Sequence, residues 1–133
     1  MDKEYLNYLS RIQKVALMLL YLDKSPIQGK TWYQKEIFLI SKLDKELKEE
    51  LEFEPNNYGP NSYEAEDALE SLEDEGLVEV IGNNEIKITG SGEEAAKYLK
   101  DSFNQSDLDF YKEIKLLLND LSRMELLTYI YQT

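Results

Sequence analysis

"SYEAEDALESLEDEGLVEVIGNNEIKIT" (residues 62–89) reads as a short helix, a glycine stop and a β-hairpin. Ala65, Ala68, Leu69 and Leu72 recur at i, i+3, i+4 and i+7, the spacing of one helical face. Ser62 or Asn61 is placed to cap its N-terminus. Gly76 stands where a helix-ending left-handed residue belongs. Beyond it, "LVEVI" (77–81) and "EIKIT" (85–89) alternate as strands do, with the tight turn "GNN" between them.

Working outward, residues 5–23 read as a first helix, with Leu9, Ile12, Val15, Ala16, Leu19, Leu20 and Leu22 on a wide apolar face. Pro26 and Gly29 break it. Thr31 is the expected N-cap of a second helix over about 32–50, buried through Ile37, Phe38, Ile40, Leu43 and Leu47. "FEPNNYGPN" (53–61) admits no regular element. After the hairpin, Ser91 and Gly92 open a fourth helix to about Phe103, and Ser106 or Asp107 starts a fifth that reaches toward Tyr131. The order predicts a mainly α fold with a small β-hairpin, a winged helix-turn-helix. Residues 1–104 would form the winged-helix domain, and 105–133 a C-terminal helix that packs on it or forms a dimer seam.

The 133 residues contain neither Cys nor His. That removes disulfides, thiolate chemistry, the usual general base and histidine metal sites. No carboxylate pair stands out as a catalytic or metal dyad, and "DLDF" (107–110) lacks the remaining ligands and glycine of an EF-hand. Lys30-Thr31 lacks the glycines of a P-loop. The expectation is a protein that is not an enzyme and needs no cofactor or metal. The longest apolar run, "VALMLLYL" (15–22), is too short to span a bilayer, and the charged N-terminus does not resemble a secretory signal. A cytoplasmic protein without membrane contact is expected.

The net charge of −12 sits in one block. Residues 49–80 hold twelve acidic and no basic residues, whereas 1–48 are net +3. Glu64, Glu66, Asp67, Glu70, Glu73, Asp74 and Glu75 fill the positions that the third helix's apolar face leaves free. A recognition helix needs Arg, Lys, Asn or Gln toward base edges and cations for phosphates. Two unit charges ~4 Å apart interact by roughly 1 kcal/mol in bulk water, so seven carboxylates against a polyanion would outweigh a good base contact of ~1–3 kcal/mol. Three readings stay open, in falling order: a solvated acidic face, a surface for a basic protein partner, or a helix that reads DNA in spite of its charge. The candidate protein-binding residues are Phe53, Tyr58, Tyr63, Glu64, Asp67, Glu70 and Asp74. The Tyr58-Gly59-Pro60 turn also has a purely architectural reading. Tyr58 would pack on the core, Gly59 supply unusual dihedrals and Pro60 fix entry to the helix.

The alternative is a DNA-binding regulator that uses Lys30, Lys35, Lys42, Lys45 and Lys87, with Asn83 and Asn84 at the wing tip. Positions 35, 42 and 45 fall near one face of a continuous helix. Ordinary surface lysines paired with Glu36, Asp44, Glu46 or Glu49 explain the same pattern. In the last helix, Phe110, Ile114, Leu117, Leu121, Met124, Thr128 and Tyr131 step by four and three residues as a coiled-coil seam does. The stripe covers the first helix of its own chain or pairs with a second copy, and a homodimer is the expectation.

Two sets of residues carry a resemblance. One is Gly29-Lys30-Thr31, Gln34-Lys35 and Phe38-Leu39, which follow "KVALMLLYL". The other is Phe53, Tyr58-Gly59-Pro60, Ser62, Leu69, Leu72, Gly76 and Leu77. Over residues 12–80 the chain resembles the Panacea-domain and YwgA-like proteins, small prophage- and toxin–antitoxin-associated proteins. The resemblance implies a compact winged-helix-like domain with an antitoxin, regulator or adaptor role. The acidic third helix and the extra C-terminal helix depart from that pattern.

Overall fold

The structure is a computed structural model and describes residues 3–55, 59–82 and 84–132. Among these residues it is mainly helical, with seven α-helices and one two-stranded antiparallel sheet. None of the helices is long and apolar enough to cross a membrane.

A 3-10 turn, Glu4–Tyr8, precedes α1 (Arg11–Leu22). The expected single helix over 5–23 is interrupted because Leu9 is extended and Ser10 begins a capping box. The Ser10 hydroxyl accepts the Gln13 N–H, and the Gln13 side chain accepts the Ser10 N–H. Val15 to Leu20 are all buried, so α1 is the central rod and packs against α4, α5, α6 and β2. Its first N–H groups are met from a distance. The Glu50 carboxylate accepts from both Arg11 and Ile12 at 3.0 Å, satisfying donors that a helix start leaves free.

Before α2, Ile27 exchanges both backbone hydrogen bonds with Ile86 at 2.9 Å, a one-residue third strand beside the hairpin. The expected helix over 32–50 is two helices. α2 runs Lys30–Ser41 from an extended Gly29, so Thr31 lies inside the first turn and is not the cap. α3 is Lys45–Glu49. The break has a cause at Asp44, whose side chain accepts the Leu47 N–H to start α3. The same carboxylate takes the Arg11 guanidinium at 2.9 Å and the Tyr111 hydroxyl at 3.1 Å. Burial alone would raise its pKa; the Leu47 N–H and Arg11 outweigh that and hold it low.

α4 (Tyr63–Asp74) starts at Ser62, whose hydroxyl accepts the Ala65 N–H. It ends as the sequence predicts. Gly76 has φ +76°, its N–H reaches Glu73 O, and the Leu77 N–H reaches Leu72 O. β1 (Val78–Ile81) then pairs with β2 (Glu85–Ile88) in the register Val78↔Ile88 to Ile81↔Glu85. Thr89 caps α5 (Gly90–Lys100). A Cβ at Gly92 would stand 1.9 Å from Leu77 O, so only glycine lets α5 approach the strand this closely.

The expected helix from 106 to 131 is also two: α6 (Gln105–Asn119) and α7 (Arg123–Tyr131), each with its own cap, Asn104 and Ser122. The joint is fastened to the segment before α2. Asn119 donates to Pro26 O at 2.7 Å and accepts the Gln28 N–H at 2.8 Å, and Trp32 Nε1 donates to Leu121 O at 3.1 Å. Leu108, Tyr111, Ile114, Leu118, Leu126 and Ile130 thereby join the same core as α1, α2, α4 and α5.

Candidate interaction surface

The acidic helix keeps its predicted face. On α4, Ala65, Ala68, Leu69 and Leu72 are buried, and every carboxylate from Glu64 to Glu75 is exposed. Tyr63, Asp67, Glu70 and Asp74 follow at steps of four, three and four, which sets them along one outer ridge. Glu66 and Glu73 stand on its flank, where with Glu70, Asp74, Lys30 and Val80 they line a groove of about 190 Å³. None of the α4 carboxylates is in an ion pair among the described residues; the ion pairs there join Arg11 to Asp44 and Glu46. Acids in a helix's first turn are favoured by the peptide dipoles and acids in its last turn are disfavoured, by about 0.3–1 kcal/mol each. Glu73, Asp74 and Glu75 close α4 at the disfavoured end. Two of the α4 carboxylates have hydrogen-bond partners: Glu75 takes one from the Tyr5 hydroxyl, and the Glu52 N–H and the Ser62 hydroxyl bond to the Glu64 carboxylate and hold its pKa low.

The loop leading into α4 is clamped from α2. Gln34, buried, donates to Ser62 O and accepts the Ser62 N–H, both at 2.9 Å. Lys35 Nζ donates to Pro60 O at 2.5 Å. Glu54 and Asn61 exchange backbone hydrogen bonds at 2.7 and 2.9 Å. Gly59 has φ +89°, the unusual dihedral expected of it. Thus Gln34-Lys35 and Gly59-Pro60-Asn61-Ser62, distant in sequence, form one clamp, and the architectural reading of this turn accounts for Gly59 and Pro60. Tyr58 lies outside the described residues, as does Asn83. Phe53 packs edge to face on Phe38 at 5.1 Å, whereas Tyr63 is exposed at the head of the ridge.

The lysine face does not assemble. Lys35 is only 1% exposed and turned to Pro60, and burial lowers its pKa to about 8. Lys42 is the C-cap of α2 with Nζ 4.9 Å from the centre of the Phe38 ring, Lys45 belongs to α3, Lys30 lies in the acidic groove and Lys87 is on β2. The break at Asp44 removes the continuous helix on which 35, 42 and 45 would have aligned. Glu36, expected on the surface as a lysine's partner, is fully buried.

That burial exposes a pair the sequence concealed. Glu36 on α2 and Lys115 on α6 are both 0% exposed, and neither the carboxylate nor the ammonium has a hydrogen-bond partner among the described residues. Burial pushes Glu36 well up, with Lys115 a partial offset; burial lowers Lys115 to about 8, with Asp23 and Glu36 opposing. A helical-wheel reading of α6 centred on Phe110 and Leu117 hides Lys115 by placing it off the stripe.

The expected dimer seam is likewise divided. Ile114 is buried in the chain's own core, Phe110 and Leu121 are half-buried against it, and Leu117, Met124 and Tyr131 remain exposed. Leu117, Leu121, Met124, Thr128 and Tyr129 line a shallow cavity of about 370 Å³ between α6 and α7. No group of three or more acidic side chains is arranged to hold a metal ion among the described residues. Comparison of the chain with protein-family models, with curated proteins and with solved structures finds no match.

Proposed function

We propose that this chain is a non-enzymatic, winged-helix-like regulatory module that binds a basic protein surface through the α4 ridge and the adjoining loop. The observation that carries it is the outer face of α4: exposed carboxylates in no ion pair among the described residues, with Glu73 and Asp74 in the last turn that disfavours them. Local stability gives no reason for that arrangement, and a complementary partner does. The winged-helix part rests on the order α1, α2, α4, hairpin, α5 and on the Ile27–Ile86 bridge, and it accords with the resemblance to Panacea-domain and YwgA-like proteins. The non-enzymatic part draws on Glu36: the buried carboxyl with a raised pKa is sealed in the core, beyond a substrate's reach. Self-association through Leu117 and Met124, which line the α6–α7 cavity away from Tyr131, belongs to the same proposal.

The test is capture from cells that encode the protein, with wild type and the triple variant Asp67→Asn/Glu70→Gln/Asp74→Asn as baits. A basic protein held by the first and released by the second is the expected result. Binding of random duplex DNA at low salt, weakening steeply as salt rises and lost on replacing Lys30, Lys45 and Lys87, would replace this proposal with the DNA-binding one.

A further inference from the structure

A cavity of about 250 Å³ opens where the loop enters α4, walled by Phe38, Phe53, Pro55, Pro60 and Tyr131, with Glu54 at its edge. Its size lies between the ~150 Å³ of an apolar cavity that admits benzene and the ~300–1,000 Å³ of sites for whole small molecules. It suits one large apolar side chain. The walls are set in advance: Phe38 and Phe53 lock edge to face, the Glu54–Asn61 bridge closes the loop, and Lys35 holds Pro60 from beneath. Such preorganisation lowers the cost of ordering on binding.

Charge decides what surrounds that side chain. Glu54 lines the opening; Glu52, two residues before it, gives its N–H to the Glu64 carboxylate at the head of α4, and Asp67, Glu70 and Asp74 continue along that helix. Against them stand Lys42 over the Phe38 ring and the buried Lys35.

We propose that the cavity receives an aromatic or branched aliphatic side chain from an extended basic segment of a partner protein, whose Lys or Arg residues lie along the α4 ridge. This rests on the reading of α4 as a protein-binding ridge and adds an anchor and a register. The ten helical steps from Glu64 to Asp74 span roughly 15 Å, which about five extended residues cover. The basic residues therefore fall within about five positions of the anchor.

The probes are two nine-residue lysine-rich peptides, identical except for phenylalanine or alanine at the centre, followed by fluorescence anisotropy. The phenylalanine peptide should bind about ten- to hundredfold more tightly. Tyr131→Ala, which trims an exposed wall, and Phe53→Ala, which trims a half-buried one, should bring that ratio toward one while both peptides still bind. Equal binding of the two peptides to wild type, abolished by Asp67→Asn/Glu70→Gln/Asp74→Asn, would remove the anchor and leave the ridge standing. Failure of both peptides to bind at low salt would remove the ridge as well. Self-association of the protein that Tyr131→Ala abolishes would assign the cavity to a second copy and overturn the proposal. So would p-cresol shifting the wall resonances when the peptides show no preference for phenylalanine.

Discussion

α4 and the α6–α7 pair are both amphipathic in sequence, yet only α4 presents the face its pattern predicts. The boundaries of α4 are local: Ser62 caps one end, and Gly76 stops the other with bonds to Glu73 and Leu72. Its apolar residues are few, so one face can be buried and the rest is solvated. α6–α7 carries more apolar residues than one face needs. Its joint is set by Pro26, Gln28 and Trp32, about ninety residues away. Charge follows the same division. The α4 ridge carboxylates Asp67, Glu70 and Asp74 stand in water in no ion pair among the described residues, whereas Lys115 of α6 is enclosed opposite Glu36. The first arrangement is available to a partner; the second is closed to one.

Replacing the buried pair should have the largest effect. Glu36 and Lys115 are enclosed without hydrogen bonds, so Glu36→Leu/Lys115→Met removes two uncompensated polar groups and should raise stability by about 1–4 kcal/mol, as read by urea unfolding. A clear loss would mean that the two groups order α6 on α2.

The pH dependence sharpens the same point. Lys35 and Lys115 have an ordinary pKa of 10.5 and a folded value of about 8. Between these values the unfolded chain binds more protons, so their contribution to stability rises with pH from about 8 toward 10.5. Tyr33 and Tyr111 act in the opposite sense above 10, because burial raises their pKa values and the folded protein keeps their protons. Glu36 contributes a decline that begins above 4.5. Lys115→Met should flatten the rise between pH 8 and 10 in thermal melts, and a rise of unchanged steepness would contradict the buried charge.

At the joint, Asn119→Ala removes a donor to Pro26 and an acceptor for Gln28. The expected loss is about 1–2 kcal/mol, with protection from amide exchange falling at α7 before α1.

The smallest effect belongs to α4. Glu73→Gln/Asp74→Asn should leave the protein as stable or raise stability by about 0.3–1 kcal/mol, since acids at a helix C-terminus oppose its dipole. Circular dichroism melting at low and high salt checks this. A clear loss would mean that the ridge has a folding role and would erase its contrast with α6.

How much was legible follows from how far each decision reaches along the chain. The hairpin, Ser62, Gly76 and the acidic face of α4 depend on residues within a few positions of one another. Of the three corrected helices, the first is interrupted by its own Ser10–Gln13 capping box, and the two later ones depend also on distant groups. Asp44 could be seen as a cap for Leu47, but its hold on Arg11 and Tyr111 could not. The lysines misled for a related reason: helical spacing gives an angle around an axis and does not say which side other elements will cover. Lys35 points into the clamp, so its spacing from Lys42 and Lys45 placed it on a face that does not exist. The Ile27 bridge is a single residue, too short to have a period.

The amino-acid sequence determined by itself that this protein is acidic in one block, free of cysteine and histidine, and built from amphipathic helices around a short hairpin. Those properties belong to composition, to periodicity and to turn chemistry acting over a few residues. Only the tertiary structure decided which charges are enclosed, where α2 and α6 end, and that the loop before α4 is fastened by Gln34 and Lys35. Burial and long-range hydrogen bonds require two parts of the chain to meet, and that meeting is a property of the packed whole.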